Sequence, residues 1–157
     1  MNAGARYMTE KKRKTVLVAG TFDLVHPGHL HLIDAATKLG KLVVVVGTDA
    51  VVEKIKGHKP VIPEKQRLFV VSRLQGVDKA ILGHETLDFT RIISDVMPDI
   101  ILLGPDQGPS VEKWQAMLAE KGLSRIEVMR LQERINDFPL TSTSDIVGKI
   151  KKLPGNT

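Results

Sequence analysis

The chain contains no cysteine. That removes disulfides, thiolate metal ligands and thiol nucleophiles. It has no long apolar run either. The longest, residues 42–46, falls far short of the roughly 20 residues that a membrane-spanning helix needs. The N-terminus carries no apolar signal segment, only polar residues and then Lys11, Lys12, Arg13 and Lys14, so a cytoplasmic protein with no membrane partner is expected. Aromatic residues are few: four Phe, one Tyr and one Trp. That argues against a base-stacking surface for single-stranded nucleic acid. It also leaves no clear stacking site for a planar ring.

The net charge of +5 invites a nucleic-acid reading, so its location matters. Residues 1–14 hold Arg6, Lys11, Lys12, Arg13 and Lys14 against Glu10, a net of +4; subtracting that from +5 leaves +1 for the rest. The body is nearly neutral, and the basicity reads as a solvated arm with no nucleic-acid partner. The expected organisation is a flexible basic arm at 1–14, one domain at 15–152 and a tail at 153–157. Met8 offers a second start, because the folded pattern begins at Thr15.

What is present is a globular pattern. Apolar residues make up 42% of the 157. A chain of this length forms one domain and buries about two-thirds of its unfolded surface. β-type runs alternate with helix-period segments. Strands are expected at residues 15–19, 42–46, 80–82, 99–103 and 126–131. Helices are expected at 28–39, 50–56, from Pro63, at 88–97, at 114–121 and from Thr143 or Ser144. In the first helix, Leu30, Ile33, Ala36 and Leu39 fall near one face, and Gly40 stops it. Leu68, Val71 and Leu74 are spaced to face inward from the third segment. Five strands separated by helices, with no hairpin signals, predict an α/β Rossmann-like single domain. Its five-stranded parallel sheet carries helices on both faces. Ligands in such folds sit at the carboxyl ends of the strands, at the switch point.

The first strand runs into Gly20-Thr21-Phe22-Asp23-Leu24-Val25-His26-Pro27-Gly28-His29. Gly20 permits a sharp exit from the strand. Gly28 allows a ligand close to a helix start, where free N–H groups and the helix dipole favour an anion. His26 and His29 flank that point and can donate to phosphate oxygens, while Pro27 restricts the turn between them. The run is neither a GxxxxGK[ST] phosphate loop nor a GxGxxG dinucleotide turn. Two histidines three apart, with no third ligand and no cysteine, make a poor zinc site, so no protein-held metal is expected.

This G-x-F-D-x-x-H-x-G-H run resembles the signature of the cytidylyltransferase-like nucleotidyltransferases. Chance occurrence in a chain this long is on the order of one in 10⁵. The resemblance extends from Thr15 to about Ile150. Lys54-Ile55-Lys56-Gly57-His58-Lys59-Pro60, with Pro63-Glu64-Lys65-Gln66-Arg67, is similar to the family's phosphate-side loop and following helix. Gly104-Pro105-Asp106-Gln107 follows the fourth strand, where relatives hold the nucleotide base. The combination is most similar to archaeal FAD synthases, and next to glycerol-3-phosphate cytidylyltransferases. It departs from the cytidylyltransferases at Leu140-Thr141-Ser142-Thr143-Ser144, where their preceding Arg and Gly-Ile are missing. It departs from the FAD synthases in having no cysteine near this end.

The resemblance implies transfer of a nucleoside monophosphate from ATP or CTP to a phosphate-bearing acceptor, with release of pyrophosphate. FMN plus ATP leads; glycerol 3-phosphate, or another small phosphate, plus CTP is the alternative. A non-catalytic nucleotide-binding regulator is the rival from another class. Synthetases of the related aminoacyl-tRNA class share H-x-G-H but are much longer. A phosphate acceptor is already ionised near neutral pH, so alignment and charge stabilisation carry the reaction. His26, His29 and Lys56 are the expected catalytic residues, with the histidines on the α- and β-phosphates. Gly20, Thr21, Phe22, Asp23, Gly28, Asp106, Gln107, Ser142, Thr143 and Ser144 are expected around the nucleotide. Lys54, Lys59 and Arg67 are expected on its phosphates or on the acceptor.

Structural readings stand beside several of these. Arg67 has Glu64 three residues earlier as an intrahelical partner. Ser142–Ser144 supply a helix cap, which is compatible with an anion site. Asp106 fits a polar turn, a ribose or base contact, or a metal contact. Asp23 fits positioning of Thr21 or a lysine as well as a metal. Mg²⁺ is expected to arrive with the nucleotide. A homodimer follows from the resemblance alone.

Overall fold

A computed structural model describes residues 12–155. The arm expected at 1–14 therefore lies mostly outside the described residues, as does the end of the expected tail.

The core is a parallel sheet of β1 (Thr15–Gly20), β2 (Lys41–Val46), β3 (Lys79–Leu82), β4 (Ile100–Leu103) and β5 (Glu127–Arg130), in the order β3-β2-β1-β4-β5. Its central strands are buried on both faces, which is why they read as continuous apolar runs. Two carboxylates finish the amino ends of the strands: Asp99 accepts the Thr15 N–H and Asp78 accepts the Leu42 N–H, both at 2.8 Å. Helices α1 (Pro27–Leu39) and α3 (Glu64–Val71) cover one face. Helices α4 (Phe89–Val96) and α5 (Val111–Glu120) cover the other. Helix α2 (Asp49–Lys56) follows β2, and α6 (Thr143–Lys151) closes the chain. Among the described residues, no helix is long and apolar enough to cross a membrane.

Side-chain caps explain where the helices begin. Thr48, Asp88, Ser110 and Ser142 each accept an N–H from the first turn of α2, α4, α5 and α6. The Ser110 cap starts α5 three residues before the expected Trp114. In α1 the buried stripe is Leu32, Ile33 and Ala36, whereas Leu30 is 43% exposed. The helix leans on the sheet through the flank that also carries His29 towards the ligand end, and this turns Leu30 outward. The chain reverses direction across the sheet between β1 and β4, so the switch point lies at Gly20 and Gly104.

Candidate active site

A cavity of about 720 Å³ opens at this switch point, across the carboxyl ends of the strands. Its geometry begins with the start of α1. His26 is extended (φ −143°, ψ 168°) and caps the helix, with Pro27 in the first helical turn. The His26 Nδ1 accepts the His29 N–H at 3.3 Å. An accepting Nδ1 leaves the proton of the neutral ring on Nε2, free to donate.

The His26 and His29 rings stack with centroids 3.7 Å apart, and Phe22 closes the other side of His29 at 4.9 Å. Burial pushes the His29 pKa down to about 3, and a protonated His26 and the Lys56 ammonium act in the same direction. Burial also lowers His26, opposed by Asp145. Both rings are therefore neutral near pH 7. The His29 Nδ1 is buried and has no partner among the described residues.

The segment before α6 meets this turn directly. A Cβ on Gly28 would stand 2.6 Å from the Thr141 carbonyl oxygen and 3.0 Å from the His26 ring. Two helix N-termini, α1 and α6, thus converge on one end of the cavity. Ser142 Oγ caps α6 by accepting the Asp145 N–H at 3.1 Å. Thr143 and Ser144 line the same wall. Paired helix starts favour an anion, and Lys56 adds a cation at the last turn of α2.

The loop after β4 is held from within. Gln107 accepts the Gly104 N–H through Oε1 and donates through Nε2 to the Ala19 carbonyl at 2.7 Å. Arg130, at the end of β5, donates to the carbonyls of Gly104, Pro105, Gln107 and Pro109. Asp106 pairs with Arg134 across the cavity mouth. The sequence reading missed Arg130. The one available signal was an arginine ending a β-type run at the ligand edge of the sheet.

The opposite part of the cavity is apolar and aromatic. Phe89 and Trp114 meet edge to face with centroids 5.2 Å apart, and Ile55, Leu87 and Ile92 also line the cavity. Trp114 is 6% exposed, and its buried indole N–H has no partner among the described residues. Few aromatics therefore does not mean no aromatic wall: the fold gathers Phe22, Phe89 and Trp114 into one cavity.

The structure brings Gly20, Thr21, Phe22, Asp23, His26, Gly28, His29, Lys56, Asp106, Gln107, Ser142, Thr143 and Ser144 to this cavity. Lys54 and Lys59 are exposed and outside its wall. Arg67 corrects the expectation most. It is 1% exposed, and it donates to the Ile62 carbonyl, the Thr21 carbonyl and Asp49 Oδ1. Its guanidinium is committed inside the protein and is not free to grip a phosphate. Nor does it pair with Glu64, whose carboxylate accepts the Asp49 N–H instead. Asp23 spends both oxygens on the Val61 and Ile62 N–H groups, each at 2.8 Å, so it is not available to a metal. Among the described residues, no three His, Asp or Glu side chains are grouped to hold an ion.

Comparison with known proteins agrees with this architecture. Residues 17–149 match the cytidylyltransferase-like family. The chain is 42% identical over 144 residues to an FAD synthase of Methanobrevibacter smithii, covering 89% of this chain and 92% of that one. It is 42% identical over 147 residues to an FAD synthase of Methanopyrus kandleri, covering 89% and 93%. Among solved structures, a lipopolysaccharide core biosynthesis protein from Thermoplasma volcanium superposes with a TM-score of 0.73 at 36% identity, over 79% of this chain and 99% of that one. With its signature turn at the switch point and a match spanning nearly the whole sheet, this chain belongs to the cytidylyltransferase-like family.

Proposed function

We propose that this protein transfers AMP from MgATP to FMN, yielding FAD and pyrophosphate. One observation carries the reading: a single cavity joins an anion-binding end, built from two helix starts and a neutral histidine pair, to an aromatic chamber. The similarity to FAD synthases points the same way. The cavity volume is also within the range of about 300–1,000 Å³ usual for small-molecule sites.

In the proposed reaction an FMN phosphate oxygen attacks the α-phosphorus of ATP in line, and the bond to the bridging oxygen of the β-phosphate breaks. Pyrophosphate leaves with the electron pair. The FMN phosphate is already ionised, so no strong base is required. His26 donates through Nε2 to the α-phosphate region, and His29 supports the neighbouring bridge oxygen as charge develops there. Lys56 offsets charge on the phosphates. Ser142, Thr143 and Ser144, with the start of α6, hold the β- and γ-phosphates. The ribose and base lie along the Gly104–Gln107 loop. The isoalloxazine ring lies against Phe89 and Trp114, where an apolar wall excludes water. Mg²⁺ enters as the ATP complex, held by the triphosphate itself. A homodimer, a cytoplasmic location and the 15–152 domain limits belong to the same proposal, resting on the family resemblance and the sequence.

The test is pyrophosphate release with ATP or CTP against FMN, glycerol 3-phosphate, phosphoethanolamine and sugar 1-phosphates. Release only with ATP and FMN is the expected result. Release with CTP and glycerol 3-phosphate would overturn the substrate choice. Nucleotide binding with no release in any pair would identify a regulator.

A further inference from the structure

Around the signature turn, two buried charges, Asp23 and Arg67, and two partly exposed ones, Asp49 and Glu64, are tied to backbone groups and to neighbouring side chains. The Asp23 carboxylate, 9% exposed, accepts two consecutive backbone N–H groups, Val61 and Ile62. Arg67 Nε donates to the carbonyl of the same Ile62 at 2.8 Å, and its Nη2 pairs with Asp49 Oδ1 at 2.7 Å. Asp49 and Glu64, the first residues of α2 and α3, each accept the other's backbone N–H. The Thr21 carbonyl, in the signature turn itself, accepts a further bond from Arg67.

The geometry has a consequence for what lies between these anchors. The stretch from Asp49 to Ile62 is an arc: α2, then Gly57 in the left-handed conformation (φ 77°), then an exposed loop. It is pinned at its start through Asp49 and at its end through Val61 and Ile62. Lys56 stands between the two pins and faces the cavity, where its charge acts on His29. Nothing along residues 57–60 is buried, so the pins and α2's own packing through Val52 are what locate the arc. Burying charges is costly unless they are paired; here Asp23 is met by the Val61 and Ile62 N–H groups, and Arg67 by the Ile62 and Thr21 carbonyls and by Asp49.

We propose that Asp23 and Arg67 are positioning residues: they hold the 49–62 arc so that Lys56 is set at the His26–His29 turn, and they act on turnover through Lys56. The proposal rests on the role given to Lys56 above. It turns the signature aspartate into a clamp for a lysine-bearing arc.

A double-mutant cycle separates this from a merely structural role, using pyrophosphate release and circular dichroism on the full chain. Asp23→Asn keeps the volume and one accepting oxygen, but presents an NH₂ group to one of the two loop N–H groups. Expected losses in kcat are about tenfold or more for Asp23→Asn and for Lys56→Ala, with the double variant no worse than Lys56→Ala alone. If Asp23→Asn costs the same factor with and without Lys56, the two act independently and the proposal is overturned. If Lys56→Ala alone leaves kcat and KM unchanged, the assigned role of Lys56 fails, and the positioning proposal fails with it. If Asp23→Asn does not fold, the same cycle with Arg67→Lys gives the reading. Trypsin provides a second measurement: cleavage after Lys56 is expected to accelerate in Asp23→Asn before any change in global unfolding. Unchanged cleavage in a variant of reduced kcat would also overturn the clamp.

Discussion

His29 is largely enclosed, uncharged, and its buried Nδ1 has no partner among the described residues. Removing its side chain strands no donor or acceptor, so His29→Asn is expected to fold while losing about 10²–10³ in kcat, as for other lost transition-state donors. Its titration has a definite sign. The folded-state pKa is lowered from 6.5 to about 3, so between these values the unfolded chain binds a proton that the folded chain refuses. Stability from this group is full above pH 6.5 and is lost as pH falls towards 3, by at most about 1.4 kcal/mol per pH unit. Urea unfolding at pH 7, 6 and 5 should show this extra loss in the parent and not in His29→Asn. Parallel losses in both would show that His29 does not resist protonation.

Among the elements, the α1 start and the segment before α6 meet at Gly28 with no room for a side chain. Gly28→Ala forces a methyl group against the Thr141 carbonyl oxygen at 2.6 Å. Backbone must shift there, which separates the two helix starts. The expected result is a raised KM for ATP with a smaller fall in melting temperature than a core truncation gives; unchanged ATP kinetics would mean the two starts do not share an anion.

Most element positions were legible because apolar period and caps agree locally. The strands β1 and β2 read as apolar runs because both faces are covered, and Ser142 announced α6. Leu30 misled because helical spacing gives a face but not the lean of the helix on its sheet. Arg67 misled for a different reason. A sequence shows that an arginine lies near a phosphate motif, but not whether carbonyls and Asp49 already surround it. Arg130 went unseen because its four carbonyl partners lie 21 to 26 residues earlier in the chain. Such closures exist only after the sheet has formed. Asp23 was recognisable as part of the signature, yet its partners, 38 and 39 residues away, were not.

At the scale of the whole molecule, the crossover from one face of the sheet to the other builds a cavity with two unlike ends. One end derives from helix starts on the α1 side, and the other from the first turns of α4 and α5. A donor and an acceptor can therefore approach each other from different faces and meet above β1. The aromatic end also contains the only tryptophan of the 157 residues. This gives the molecule a built-in optical gauge. Flavins absorb across the indole emission band, so FMN seated beside Trp114 should quench nearly all ultraviolet-excited fluorescence at saturation. MgATP at the far end should leave most of that emission intact. A dim signal with FMN would report an occupied chamber without any label, while undiminished emission at saturating FMN would mean that the ring sits elsewhere.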